Sequence, residues 1–71
     1  MSALHQLLES VGDESKARFE TKEGVRTLYV SIATLRANLG TVLELAHWHK
    51  EVDQVIVLKG KKPRVRILPL V

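Results

Sequence analysis

Apolar residues recur along the chain with two different periods, and the switches between them divide it into segments. Leu4, Leu7, Leu8 and Val11 follow the i, i+3, i+4, i+7 spacing of an amphipathic helix, which Gly12 ends. So short a helix has little cooperative stability in water, so residues 2–11 must dock on some surface to persist. From Asp13 to Gly24 the only large apolar residue is Phe19, and the stretch reads as a polar linker or arm. A boundary near Gly24 therefore separates an N-terminal helix and arm, residues 1–24, from a body, residues 25–71. Val25–Val30 is rich in β-branched and aromatic residues and predicts a strand. Ser31 then offers an N-cap hydroxyl, after which Ile32, Leu35, Leu39, Val42, Leu43 and Ala46 return at helical spacing. Gly40 falls inside that stripe at a cost of about 1 kcal/mol relative to alanine. Two helical pieces are expected, broken near Leu39 and Gly40, with Asn38 or Thr41 capping the second.

Val55–Leu58 is too short for a convincing helix and is the best strand of the sequence. Lys59, Gly60, Lys61 and Lys62 make a glycine turn, Pro63 opens the next run, and Arg64–Leu68 alternates charge with apolar bulk, so the two runs predict a hairpin. The expected fold is α+β: a small three-stranded sheet with two helices on one face, homodimeric, preceded by the short helix. Its core should draw on Val30, Leu35, Leu39, Val42, Leu43, Val55, Val57, Val65 and Ile67, part of that surface being shared between two copies.

Length sharpens the last expectation. A chain of 71 residues buries only a modest core, and with no cysteine it has neither a disulfide staple nor a thiolate ligand. Self-association or another partner is the remaining source of stability. The formal charge is +3, unevenly spread: residues 1–24 carry a net −2 and residues 25–71 a net +5. Phe19, Tyr29 and Trp48 are the only aromatic rings, which argues against stacking on unpaired bases and leaves duplex recognition open. No apolar run approaches the ~20 residues of a bilayer span, and no basic, greasy leader opens the chain. A soluble, cytoplasmic protein without membrane contact is expected.

Little of the remaining chemistry suits an enzyme. His47 and His49 flank Trp48, and on a regular helix their rings point roughly 200° apart, so they cannot chelate one ion. Their plain reading is a partly exposed helix end with Trp48 covering apolar surface. Ser31 lacks a base and a glycine-framed elbow, and Gly60 alone does not cradle a phosphate. No catalytic residue, metal site or cofactor is expected. The strongest signal is basic: Lys59, Lys61, Lys62, Arg64 and Arg66 stand within eight residues with no acid among them. A solvated hairpin is the plain reading, whereas a two-fold dimer offers two such turns to one duplex.

The order of elements and the residues on them resemble the Phd/YefM family of antitoxins over residues 28–68. The likeness lies in Val30-Ser31-Ile32, Leu35-Arg36-Ala37-Asn38-Leu39, the pair Val42-Leu43, and the ending Val55-Ile56-Val57-Leu58-Lys59-Gly60-Lys61-Lys62-Pro63. The resemblance implies a dimeric domain that binds operator DNA, represses its own operon and neutralises a cognate toxin, which acts as co-repressor. Arg36 matches the family's DNA-contacting helix arginine, and Lys59 falls on its basic turn position. Lys61 and Lys62 join them on physical grounds as adjacent turn charges. Arg64 is a weaker candidate, and Arg66 weaker still, because alternation along the strand can turn them to the open sheet face. For Arg36 the plain alternative is an exposed helix residue paired with a carboxylate.

The chain also departs from the family pattern. Gly40 stands where a serine is usual, and Ala46–Gln54 reads as a longer, Trp-bearing connection. Typical members run on into a toxin-wrapping tail, whereas this sequence stops at Val71. One expectation is that the N-terminal arm takes over neutralisation, its Leu4, Leu7, Leu8 and Val11 face docking in a toxin groove. The rival is that the arm packs back on its own dimer, leaving a compact DNA-binding or scaffold module with no toxin. The alternative function is then a toxin-independent interaction or scaffold module whose basic hairpin meets an acidic partner.

Overall fold

Ser2 starts the first helix, α1 (Ala3–Val11), by accepting the His5 backbone N–H on its hydroxyl at 3.1 Å. Gly12 ends it in the left-handed region at φ 65°, its N–H bonded to the Leu8 carbonyl at 3.0 Å. The computed structural model, which describes residues 2–70, then continues through β1 (Ala17–Lys22), β2 (Val25–Ser31), α2 (Ile32–Ala37) and α3 (Leu39–Ala46). A 3₁₀ turn (His47–His49), β3 (Gln54–Lys59) and β4 (Lys62–Ile67) follow. No helix among the described residues is long and apolar enough to cross a membrane.

The architecture is α+β, with a four-stranded mixed sheet where three strands were expected. Strand order is β1-β2-β3-β4; β1 and β4 run antiparallel to their neighbours, and β2 and β3 pair in parallel. The added strand is β1, in the segment expected to be a linker. Its Ala17 and Phe19 lie opposite Val30 and Leu28, so the small and aromatic residues line the covered face while Arg18, Glu20 and Lys22 alternate to the other. Glu23 and Gly24, at φ 53° and 80°, close the β1–β2 hairpin as a two-residue turn.

Helices cover one face. Leu28, Val30, Val42, Leu45, Val52 and Val55 are essentially inaccessible and join Leu4, Leu7, Ala17, Ala46 and Val57 in one core cluster. Each fully buried aliphatic side chain contributes about 2 kcal/mol of transfer free energy. Of the expected core, Val30, Val42, Val55 and Val57 are buried, and Leu35 and Ile67 pack against the cluster. Leu39, Leu43 and Val65 instead stand 48%, 47% and 56% exposed.

The helix break lies at Asn38 (φ −128°, ψ 28°), ahead of Gly40, which sits inside α3. The Asn38 N–H makes the ordinary i→i−4 bond to the Thr34 carbonyl at 3.0 Å, and the side-chain Nδ2 adds a second bond to the same oxygen at 3.0 Å, the kind of local bond that competes with regular helix. Of the two expected caps, Asn38 occupies the N-cap position of α3 without a side-chain capping bond, and Thr41 lies inside the helix.

Candidate nucleic-acid interface

The β3–β4 hairpin is a two-residue turn, Gly60–Lys61, with both residues left-handed at φ 59° and 68°. That conformation suits glycine and costs a lysine of order 1 kcal/mol. Lys59 and Lys62 face one another across the ladder, a like-charge pairing that is also unfavourable. Local energetics thus oppose this arrangement, which gathers three exposed ammonium groups at one tip. An anion placed there relieves the repulsion.

Parallel pairing puts the start of α2, the helix that carries Arg36, at the same end of the sheet as that tip. Ser31 lies opposite Leu58, so the end of β2 that runs into α2 and the end of β3 that runs into the basic turn form one pole of the sheet. The Ser31 hydroxyl accepts the Thr34 N–H at 3.1 Å and donates to Thr34 Oγ1 at 3.0 Å, fixing where α2 begins. α2 packs on both β2 and β3. Arg36 stands exposed in its last turn, about 8 Å along the helix from that pole at the standard rise. Arg64 is the extra residue of a bulge, since Leu58 faces Pro63 while Val57 faces Val65. Arg66 lies opposite Ile56 on the uncovered sheet face.

An acidic turn borders the same pole. The Lys16 carbonyl accepts the Ser31 N–H at 2.9 Å, which anchors the start of β1 there. Asp13 is held below the usual carboxylate range by the Ser15 hydroxyl at 2.8 Å, then by the Ser15 N–H at 2.9 Å, with Lys16 and Lys61 adding to it through space. Glu14, Ser15, Arg18, Leu58 and Lys61 line one shallow hollow of about 320 Å³. The linker reading of residues 13–24 gave no reason to place these acids beside the basic turn.

The α1 residues expected to meet a toxin face inward. Leu4 and Leu7 are buried, and Leu8 and Val11 are half-buried against the core. Docking that face in a partner's groove requires α1 to leave the fold.

Sequence reasoning passed over the tightest polar cluster, at the opposite pole. Arg26 opens β2 and Asp53 precedes β3; the guanidinium donates to both Asp53 oxygens and, through Nη2, to the His49 carbonyl at 2.6 Å. His49 Nδ1 lies 2.9 Å from Asp53 Oδ1. Arg26 holds the Asp53 carboxyl well below its ordinary value through its side chain first and its backbone N–H second, and His49 adds to this. The same ion pair raises the Arg26 guanidinium. The cluster locks Trp48 and His49 in consecutive left-handed conformations, φ 52° and 56°. Trp48 is 65% exposed, with its ring edge-on to His47, and lines an apolar hollow with Leu43, Ala46, Ile67 and Leu68. No group of three potential metal ligands occurs among the described residues. His49 bonds Asp53 through Nδ1 and accepts from Arg26 through its carbonyl, which ties the turn to the start of β2. No protein-family model, curated protein or solved structure matches the chain.

Proposed function

We propose that this chain is an antitoxin of a type II toxin–antitoxin system, binding operator DNA as a homodimeric autorepressor and neutralising a partner toxin. The observation that carries the DNA part is the shared pole: parallel β2 and β3 direct α2, with Arg36, and the Lys59–Lys62 turn to one end of the sheet. Phosphates meet the turn lysines, which position the protein, while Arg36 reaches base edges and supplies discrimination. The resemblance to Phd/YefM antitoxins over residues 28–68 supports the same assignment of Arg36 and Lys59.

Self-association follows from what the fold leaves uncovered. Leu39 and Leu43, one turn apart on α3, are nearly half exposed, and Val65 on the edge strand β4 is more than half exposed. A 71-residue domain gains much by covering such residues. A two-fold seam there presents two basic poles to one duplex. With α1 turned into the core, toxin contact falls to another surface of the dimer.

Titration of a duplex carrying the upstream region of the protein's own operon, at several salt concentrations, tests the reading. About six neutralised phosphates give a log–log slope near −5. A salt-independent signal, or equal affinity for an acidic polypeptide of matched charge, favours the scaffold alternative. Co-expression with the product of the neighbouring reading frame tests neutralisation, with restored growth as the expected outcome.

A further inference from the structure

The sheet face opposite the helices carries a transverse row that the DNA reading does not use. Arg18 on β1 lies opposite Tyr29 on β2, Tyr29 opposite Ile56 on β3, and Ile56 opposite Arg66 on β4. Tyr29 and Ile56 point away from the core because their strand neighbours, Leu28, Val30, Val55 and Val57, are buried beneath the helices. The two are nevertheless only half-buried, as is Leu58 one step further along β3, and no helix among the described residues packs on this side. The face is therefore an apolar midline with an arginine on each edge strand.

We propose that this face binds an acidic amphipathic α-helix of a partner protein, laid along the midline with its carboxylates reaching Arg18 on one flank and Arg66 on the other. Dimensions fit. Three strand spacings set the two arginine backbones about 14 Å apart, which brackets a helix of about 10–12 Å diameter. Charge selects the partner's sign: Arg18, Lys22 and Arg66 alternate to this face against Glu20, and in the adjoining hollow beside Leu58 Lys61 offsets Glu14. Glu20 accepts from Arg18 at 3.3 Å, but both side chains are nearly half exposed, and such a pair is worth little and is readily exchanged for a partner's carboxylate.

Two other occupants fit less well. A second copy seated two-fold on this face brings arginine against arginine. Nucleic acid leaves Ile56 and Leu58 uncovered, and the face offers one ring, Tyr29, too few for stacking successive bases. The proposal stands apart from the DNA reading, since Arg18 and Arg66 are not among the cations assigned to the duplex.

The test is an amide-shift titration of the full chain with a synthetic helical peptide bearing a leucine stripe flanked on both sides by glutamates. Expected shifts map to Arg18, Tyr29, Ile56, Leu58 and Arg66, and a scrambled peptide of the same composition gives at least tenfold weaker binding. The double variant Arg18→Glu with Arg66→Glu abolishes the shifts while retaining the wild-type circular dichroism spectrum and thermal midpoint. Adding Ile56→Thr alone weakens binding several-fold without touching charge, which separates a docked helix from diffuse attraction. Shifts confined to the Lys59–Lys62 turn overturn the proposal, as do equal binding of the scrambled peptide, indifference to the double variant, or displacement of the peptide from this row by duplex DNA or single-stranded RNA.

Discussion

Arg26 and Asp53 clasp one another through side chain and backbone together. The guanidinium Nε and Nη2 each lie 3.1 Å from a carboxylate oxygen; the Arg26 N–H meets Oδ2 at 2.9 Å, and the Asp53 N–H returns to the Arg26 carbonyl at 2.8 Å. Because the folded carboxyl titrates below its ordinary value of 3.8, its contribution is complete above the unfolded value and is lost as pH falls through the folded one. Urea midpoints are expected to hold steady above about pH 5 and to fall below about pH 4. Asp53→Asn should cost about 2 kcal/mol at neutral pH and flatten the acid limb. An unchanged acid limb in that variant would show that other carboxylates govern it.

Leu7 ties α1 to the rest of the molecule, being 4% exposed within the central cluster. Leu7→Ala should remove about 3 kcal/mol of stability, a large share of what so small a domain has. Amide exchange in the intact protein should be slow at Leu7 and Leu8, since their helix persists only while docked. Rapid exchange at both positions would return α1 to the role of a free arm.

Leu43 marks the proposed seam between copies. Leu43→Glu, at a position already 47% exposed, should leave the fold intact and convert a sedimenting dimer to monomer. A dimer that survives this change and Val65→Glu together must use another surface.

Lys61 and Arg36 are assigned different tasks on the duplex. Lys61→Ala should weaken operator and random DNA nearly equally and make the salt slope about one unit shallower. Arg36→Ala should cost about 1–3 kcal/mol on operator and much less on random sequence. Mobility-shift titrations that move for neither variant would remove the DNA assignment.

The elements with strong periodicity were legible from the residues: α1, β2, the α2–α3 stripe and the β3–β4 hairpin all stand where spacing placed them. β1 was not, because an edge strand with one open face needs few apolar residues. Its core contribution comes from Ala17, too small to register as a signal, and Phe19. Glu23-Gly24 is also a weaker hairpin cue than Asn-Gly or Asp-Gly. The helix break expected near Leu39 and Gly40 falls one residue earlier, at Asn38, whose side chain bonds its own helix. The turn lysines were visible as a charge run, but their gathering with Arg36 depends on parallel pairing of β2 with β3, a long-range fact that no local window contains. The same holds for Arg26 and Asp53, and for the row from Arg18 to Arg66, which four separate strands must assemble.

The one parallel junction also sets a timetable. β1–β2 and β3–β4 are hairpins with two-residue loops and can close on their own, whereas β2–β3 must wait for residues 32–53 to wind and lie down across the sheet. Arg36 and the lysine turn come from opposite banks of that late junction. A chain refolding from full length can thus close its cationic hairpin before the parallel junction forms, and on the proposed assignment it would hold phosphate before Arg36 is in place to read bases.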